Sequence, residues 1–227
     1  MGKITLFENI MTLGVSTAVG PVSYITGIKE LQAIGSVCTF LARLCCTRES
    51  VQILMKRNFG KRILDFGMKQ AELSKVLVET RGIIGGSVML QCAEGDFYTN
   101  DRSSDIDMYI PARARVKIAN YIKVCGYLHD SDEDNLAGSL NNDFTNQLII
   151  EGSYVYYHGK TGRKIDLLVI CPDISSPKEA IGAYDFTFLM NLYDGKEFQL
   201  WFPKDIVRKN GRYNPVNNPS YYSYMMS

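Results

Sequence analysis

The sequence predicts an α+β protein: a mixed central sheet flanked by helices, preceded by a helical N-terminal segment. Three observations predict it. The first third carries apolar residues at three- and four-residue spacing, the mark of a helix face. After Arg81 the texture changes to short apolar runs punctuated by glycine, in the order strand, helix, strand, helix. The later part reads as successive strands, two of them joined by a glycine-containing turn. The chain divides on this reading into a helical region over 1–78, a core over 79–203 and a loosely ordered tail over 204–227.

Each element has a local reason. Between Pro21 and Cys46, Ile25, Ile28, Leu31, Ile34, Cys38, Leu41 and Cys45 form one helical stripe. Thr47 is placed to cap the helix that begins ESVQILMKR, and a further helix is expected from Lys61 to Glu79 through Ile63, Leu64, Met68, Leu73 and Leu77. RGIIGG is a short buried strand ending in two glycines, SVMLQCAEG is two helical turns, and SDIDMYI alternates as a strand. Pro111 stands where a first helical residue belongs, and Val116, Ile118, Tyr121, Ile122 and Cys125 make the stripe that closes on Gly126. The acidic stretch from Asp130 to Asp143 reads as a loop. QLIIEG, SYVYYH and RKIDLLVI follow as strands, with HGKTG as a hairpin turn. SPKEAIGAY is a short helix with Ser176 near its cap, and DFTFLMNLYDG and EFQLWFP are a last strand pair.

Bulk properties exclude several classes. With 25 basic and 24 acidic residues the net charge is +1, which gives no global attraction to nucleic acid. Six cysteines without a CxxC pair, and two histidines, make no standard zinc pattern, so a cytoplasmic or nuclear chain with reduced thiols is expected. The uncharged run from Asn9 to Ile28 reaches spanning length, but its Gly, Ser and Thr content and Pro21 argue against a membrane role.

Several motifs mislead. Asp65-Phe66-Gly67 spells a kinase triplet with none of its companions, and Gly159-Lys160-Thr161 lacks the earlier glycine of a P-loop, where Tyr154 stands. Asp130, Asp132 and Asp134 alternate as in a calcium loop, yet Asn135 and Asn141 occupy the positions that need glycine and glutamate. The pair Asp105 and Asp107 differs in context. Two residues apart on a strand, their carboxylates lie within about 7 Å on one face, where like charges are costly without a cation. Upstream, Gly85, Gly86 and Ser87 join a strand to a helix, leaving backbone N–H groups free to hold a phosphate. Downstream, Asp166 is the lone acid in KIDLLVI, where an unpaired carboxylate is costly to bury; a partner in Arg163 or Lys164, an exposed strand end, or a metal would satisfy it.

In this order GGS at 85–87, SDIDMYI at 104–110 and KIDLLVI at 164–170 resemble the signature of the nucleotidyltransferase fold shared by DNA polymerase beta, poly(A) polymerases, tRNA nucleotidyltransferases and minimal bacterial nucleotidyltransferases. The run IGAYDFTFLMNLYDG is similar to a segment of nucleotidyltransferase-fold proteins of fungi and large DNA viruses. The resemblance implies a nucleotidyltransferase-like core, with Gly85, Gly86 and Ser87 cradling the NTP phosphates. Asp105, Asp107 and Asp166 would be the catalytic ligands of Mg2+ or Mn2+. It implies transfer of NMP to a hydroxyl of RNA, a small molecule or a protein, with pyrophosphate leaving. The interval from Ser87 to Asp105 exceeds that of minimal members, which implies an inserted loop over Glu94 to Asn100. An RNA acceptor would draw on Lys56, Arg57, Lys61, Arg62, Arg113, Arg115 and Lys117, with Tyr154, Tyr156 and Tyr157 as stacking surfaces. The rival reading is a non-catalytic module that keeps the fold for binding, and the helical N-terminal region is a further candidate for docking a partner.

Overall fold

A computed structural model describes residues 27–36, 48–95, 105–136, 149–208, 211–212 and 214. It is an α+β structure built on one seven-stranded mixed sheet. In chain order the elements are α1 (Ile28–Gly35), α2 (Arg48–Asp65), α3 (Gln70–Thr80), β1 (Ile83–Gly85), α4 (Ser87–Glu94), β2 (Ile106–Pro111), α5 (Arg115–Val124), β3 (Tyr127–Leu136), β4 (Ile150–His158), β5 (Lys164–Ile170), α6 (Lys178–Ile181), β6 (Asn191–Tyr193), β7 (Phe198–Leu200) and α7 (Pro203–Arg208). The sheet order is β3-β4-β5-β2-β1-β6-β7. β2 and β5 run parallel, and every other neighbouring pair is antiparallel. Among the described residues no helix is long and apolar enough to cross a membrane.

The expected helix from Lys61 to Glu79 is two helices. Gly67 at φ 72° ends α2: its N–H donates to Leu64 O while Met68 N–H donates to Ile63 O, the paired bonds of a left-handed helix stop. The triplet Asp65-Phe66-Gly67 is thus a helix terminus, and Leu64, assigned to the apolar stripe, is 69 % exposed. Pro111 closes β2 instead of opening a helix; a 3-10 turn over Ala112–Ala114 leads into α5. Of the stripe on α5 the structure buries Ile118 and Ile122, whereas Val116 faces solvent.

The acidic stretch is the larger correction. Tyr127–Leu136 is a ten-residue edge strand paired with β4, with a register shift between Asp130 and Asn135. Acidic residues suit an edge, where they discourage pairing with another chain. QLIIEG and SYVYYH are also not two strands: Ile150–His158 runs unbroken, bulging between Ile150 and Gly152. The HGKTG turn forms as expected, closed by His158 N–H to Arg163 O, and His158 Nδ1 accepts from Lys160 and Thr161 N–H, a structural role for this imidazole. At the C-terminal side α7 is followed by Asn214, whose side-chain amide donates to Gly182 O and Tyr184 O. Thr47, the cap candidate, most of the stripe from Pro21 to Cys46, and the loop after Gly95 lie outside the described residues.

Alternation along the strands builds a different core on each sheet face. Ile84, Ile106, Met108, Ile110, Ile165, Leu167 and Val169 join one cluster with Leu54, Phe59, Ile63, Leu73 and Leu77 of α2 and α3 and with Ile118 and Ile122 of α5. Phe59, fully buried, sets its ring tilted 4.7 Å from Tyr193 and edge-on 5.5 Å from Phe198, an anchor whose truncation costs roughly 3–5 kcal/mol. The other face carries a smaller cluster of Ile83, Tyr109, Ile170, Ile181 and Leu192, covered by α6. Asp107 and Asp166 alternate with the first set and therefore lie on this second, more thinly covered face.

Candidate functional site

β1, β2 and β5 bring the sequence-singled residues together. Asp107 and Asp166 are register partners across the parallel β2/β5 pair, and Gly85 is the partner of Asp107 on β1. Asp105 stands just before β2. One carboxylate oxygen from each of Asp105, Asp107 and Asp166 lies within 4.8 Å of the others. No other group of three or more acidic, histidine or cysteine side chains converges in this way among the described residues.

The glycines make room for the carboxylates. Gly86 adopts φ 71°, ψ −151°, a backbone region open essentially to glycine alone. A Cβ there would sit 2.0 Å from Asp107 Oδ2 and 2.8 Å from the Tyr184 hydroxyl. At Gly85 it would meet Ile181 Cδ1 at 2.5 Å. The backbone thus passes directly beneath the Asp107 carboxylate before Ser87 opens α4, where Ser87 and Val88 stand too early in the helix for an intrahelical acceptor. Gly86 O already accepts from Met89 and Leu90.

Three further side chains, Lys164, Tyr184 and Tyr109, complete the site. Lys164 Nζ lies 2.9 Å from Asp166 Oδ2 and 3.7 Å from Asp105 Oδ2, so an ammonium stands among the acids. The partner expected for Asp166 in Arg163 or Lys164 is therefore Lys164. Tyr184, from the loop after α6, donates to Asp107 Oδ2 at 3.3 Å and accepts from the Tyr109 hydroxyl at 2.7 Å. Nothing in strand periodicity points to Tyr184; its only signal was its place in the run IGAYDFTF.

Electrostatics follow from this crowding. Burial, with the charges of Asp105 and Asp166 added, pushes Asp107 up to about 7 against the opposing Tyr184 hydrogen bond and Lys164 charge. Burial likewise lifts Asp166 to about 6, although Lys164 pulls the other way. For Lys164 burial disfavours the charged form, yet Asp166 and Asp105 outweigh it and raise its proton affinity. Even so, Asp166 Oδ1 is buried with no hydrogen-bond partner. One lysine is an incomplete counterpart for three carboxylates, and a small divalent cation preferring oxygen ligands fits this donor set.

The residues considered for RNA contact fare differently. Arg62 is 6 % exposed, lies 3.8 Å from Asp65 and sits over the Phe66 ring. Lys117 pairs with Glu79 at 2.7 Å, Arg115 stacks on the Tyr154 ring at 4.0 Å, and Tyr156 is buried. These four side chains are engaged by the fold. Lys56, Lys61 and Arg113 are exposed.

No curated protein and no solved structure matches the chain. A family match does exist, and it spans α2 to the residues after α7, including all three carboxylates, the glycine turn and Tyr184. Because residues 52–212 match the Gabija anti-defense 2 family, the chain belongs to that family.

Proposed function

We propose that this chain is a divalent-metal-dependent nucleotidyltransferase whose transfer reaction acts against the Gabija defence. The observation that carries the reading is the convergence of Asp105, Asp107 and Asp166 within 4.8 Å, beside a glycine turn that opens a helix. The family name supports the biological direction, and the residues support the chemistry.

Asp105, Asp107 and Asp166 would hold the metal, Mg2+ or Mn2+, which when bound neutralises the NTP phosphates and the charge that develops on them. Gly86 and Ser87 present backbone N–H groups and the positive end of α4 to the triphosphate. Tyr184 holds Asp107 in place through its hydroxyl, with Tyr109 behind it. An acceptor oxygen bonds to the α-phosphorus while the bond to the bridging oxygen of pyrophosphate breaks. The hydroxyl proton passes to a carboxylate oxygen of Asp166, which stands beside Asp107 on the neighbouring strand. The protein contributes position and charge, with no covalent intermediate on its own side chains.

A second reading, a non-catalytic binding module, is favoured by Lys164, whose ammonium already bridges Asp166 and Asp105. Each labelled NTP, with Mg2+ or Mn2+ and either total RNA or bacterial extract, separates the two. Under the enzyme reading label moves to an acceptor and Asp105→Ala/Asp107→Ala abolishes the transfer. Absence of transfer, together with full anti-Gabija protection by that double variant in cells, would sink it.

A further inference from the structure

At the end of the sheet opposite the carboxylates lies a cavity of about 700 Å3, a size typical of small-ligand sites. Asp107 and Pro111 stand at opposite ends of β2, about 13 Å apart at the rise of an extended strand. Pro111 and Ile170, the carboxyl ends of the parallel strands β2 and β5, both line the cavity. From these ends the chain leaves toward opposite faces. After β2 it enters α5, whose Ile118 and Ile122 pack on the larger core; after β5 it enters α6, whose Ile181 packs on the smaller one. Such a divergence opens a crevice between adjacent strand ends, the arrangement at which open parallel α/β sheets bind ligands.

The walls are cationic. Arg81, Arg113, Lys178 and Lys196 line the cavity against a single acid, Asp194. Lys178 is held by Asp194 at 3.1 Å, which leaves Arg81, Arg113 and Lys196 without an ion pair among the described residues. In a chain of net charge +1 this is a local excess. Arg81 is also the one non-glycine residue at positive φ among those described, 58°, in the helix-stop position where glycine is preferred. A guanidinium is thus kept at the cavity wall in spite of its backbone. Ile83, Ile170 and Ile174 also line the cavity, and Ile174, only partly buried, is an apolar contact for the edge of a ring.

We propose that this crevice is a second ligand site, separate from the carboxylate centre, for a phosphate-bearing molecule of nucleotide size. Its phosphates lie among Arg81, Arg113 and Lys196, since paired guanidinium groups match phosphate oxygens bidentately. Its ring lies against the apolar part of the lining at Ile174.

The test is equilibrium dialysis of the full chain in EDTA, with pyrophosphate, AMP and ATP as separate probes, so that no metal contributes at the carboxylates. Saturable ATP binding is expected, equal within about twofold in Asp105→Ala/Asp107→Ala and weakened at least about tenfold in Arg81→Gly/Arg113→Gln. Circular dichroism checks that the variants fold; Arg81→Gly suits the left-handed backbone. Lys196→Glu, on the exposed rim, carries the same expectation if the double variant fails to fold. AMP binding more tightly than pyrophosphate supports the nucleotide ligand, whereas pyrophosphate binding as tightly as ATP overturns it. No saturable ATP binding at about 1 mM, binding unchanged by the arginine substitutions, or binding lost with the aspartates overturns the proposal.

Discussion

Asp107 and Asp166 face each other as register partners on parallel neighbouring strands, and the ammonium of Lys164 lies 2.9 Å from Asp166. Two carboxylates so placed, with Asp105 beside them, are poorly compensated by one lysine. Their ionisation is therefore linked to the stability of the fold and to any cation added.

In the metal-free chain both groups titrate above the ordinary aspartate value of 3.8, Asp107 near 7 and Asp166 near 6. Raised carboxyl pKa values mean that the folded state binds more protons than the unfolded one between about pH 4 and 7, so stability falls as pH rises through that window. The loss is on the order of several kcal/mol. Urea denaturation in EDTA from pH 4.5 to about 8 measures it, and Asp107→Asn should flatten the profile and be more stable than the parent at the alkaline end.

Metal should reverse that loss. At pH 8, Mn2+ at about a hundred times its dissociation constant adds about 2.7 kcal/mol, a rise in Tm of several degrees for a chain of this size. Asp166→Asn and Asp105→Ala/Asp107→Ala should show no such rise in thermal melts, and excess EDTA should abolish it in the parent.

Gly86→Ala combines a backbone region closed to alanine with a Cβ placed 2.0 Å from Asp107 Oδ2. The strain alone costs about 1–3 kcal/mol, and the carboxylate must move for the methyl group to fit. Thermal denaturation should show the destabilisation, and the variant should lose the metal-induced rise in Tm even under conditions where it is folded.

Tyr184→Phe removes the hydrogen bond to Asp107 and leaves the buried Tyr109 hydroxyl without its acceptor. A cost of about 1–3 kcal/mol is expected in denaturant titrations. Because that hydrogen bond lowers the Asp107 pKa, its loss should move the pH dependence of stability to higher pH. Tyr109→Phe, which leaves the Tyr184 to Asp107 bond in place, should shift that dependence far less.

Much of this site was legible along the chain because its signals are local. Alternation in SDIDMYI put Asp105 and Asp107 on one face, KIDLLVI left Asp166 isolated among apolar residues, and the double glycine marked a close approach of the backbone. The misreadings were local too. Asp65-Phe66-Gly67 was set aside as a false motif without being read as a helix stop, and the acidity of Asp130 to Asp134 concealed an edge strand, where charge discourages pairing with another chain.

By itself the sequence determined the α+β class, most of the element order and the identity of the three carboxylates, since periodicity and the cost of burying a charge act residue by residue. Only the tertiary structure decided that β2 pairs in parallel with β5, that Lys164 stands among the acids, and that Tyr184 reaches Asp107 from beyond α6. It alone also showed that the two strand ends part to leave a cationic crevice. Those relationships come from pairing and packing between segments far apart in the chain, where register and the direction of the crossover, more than local composition, choose which side chains meet.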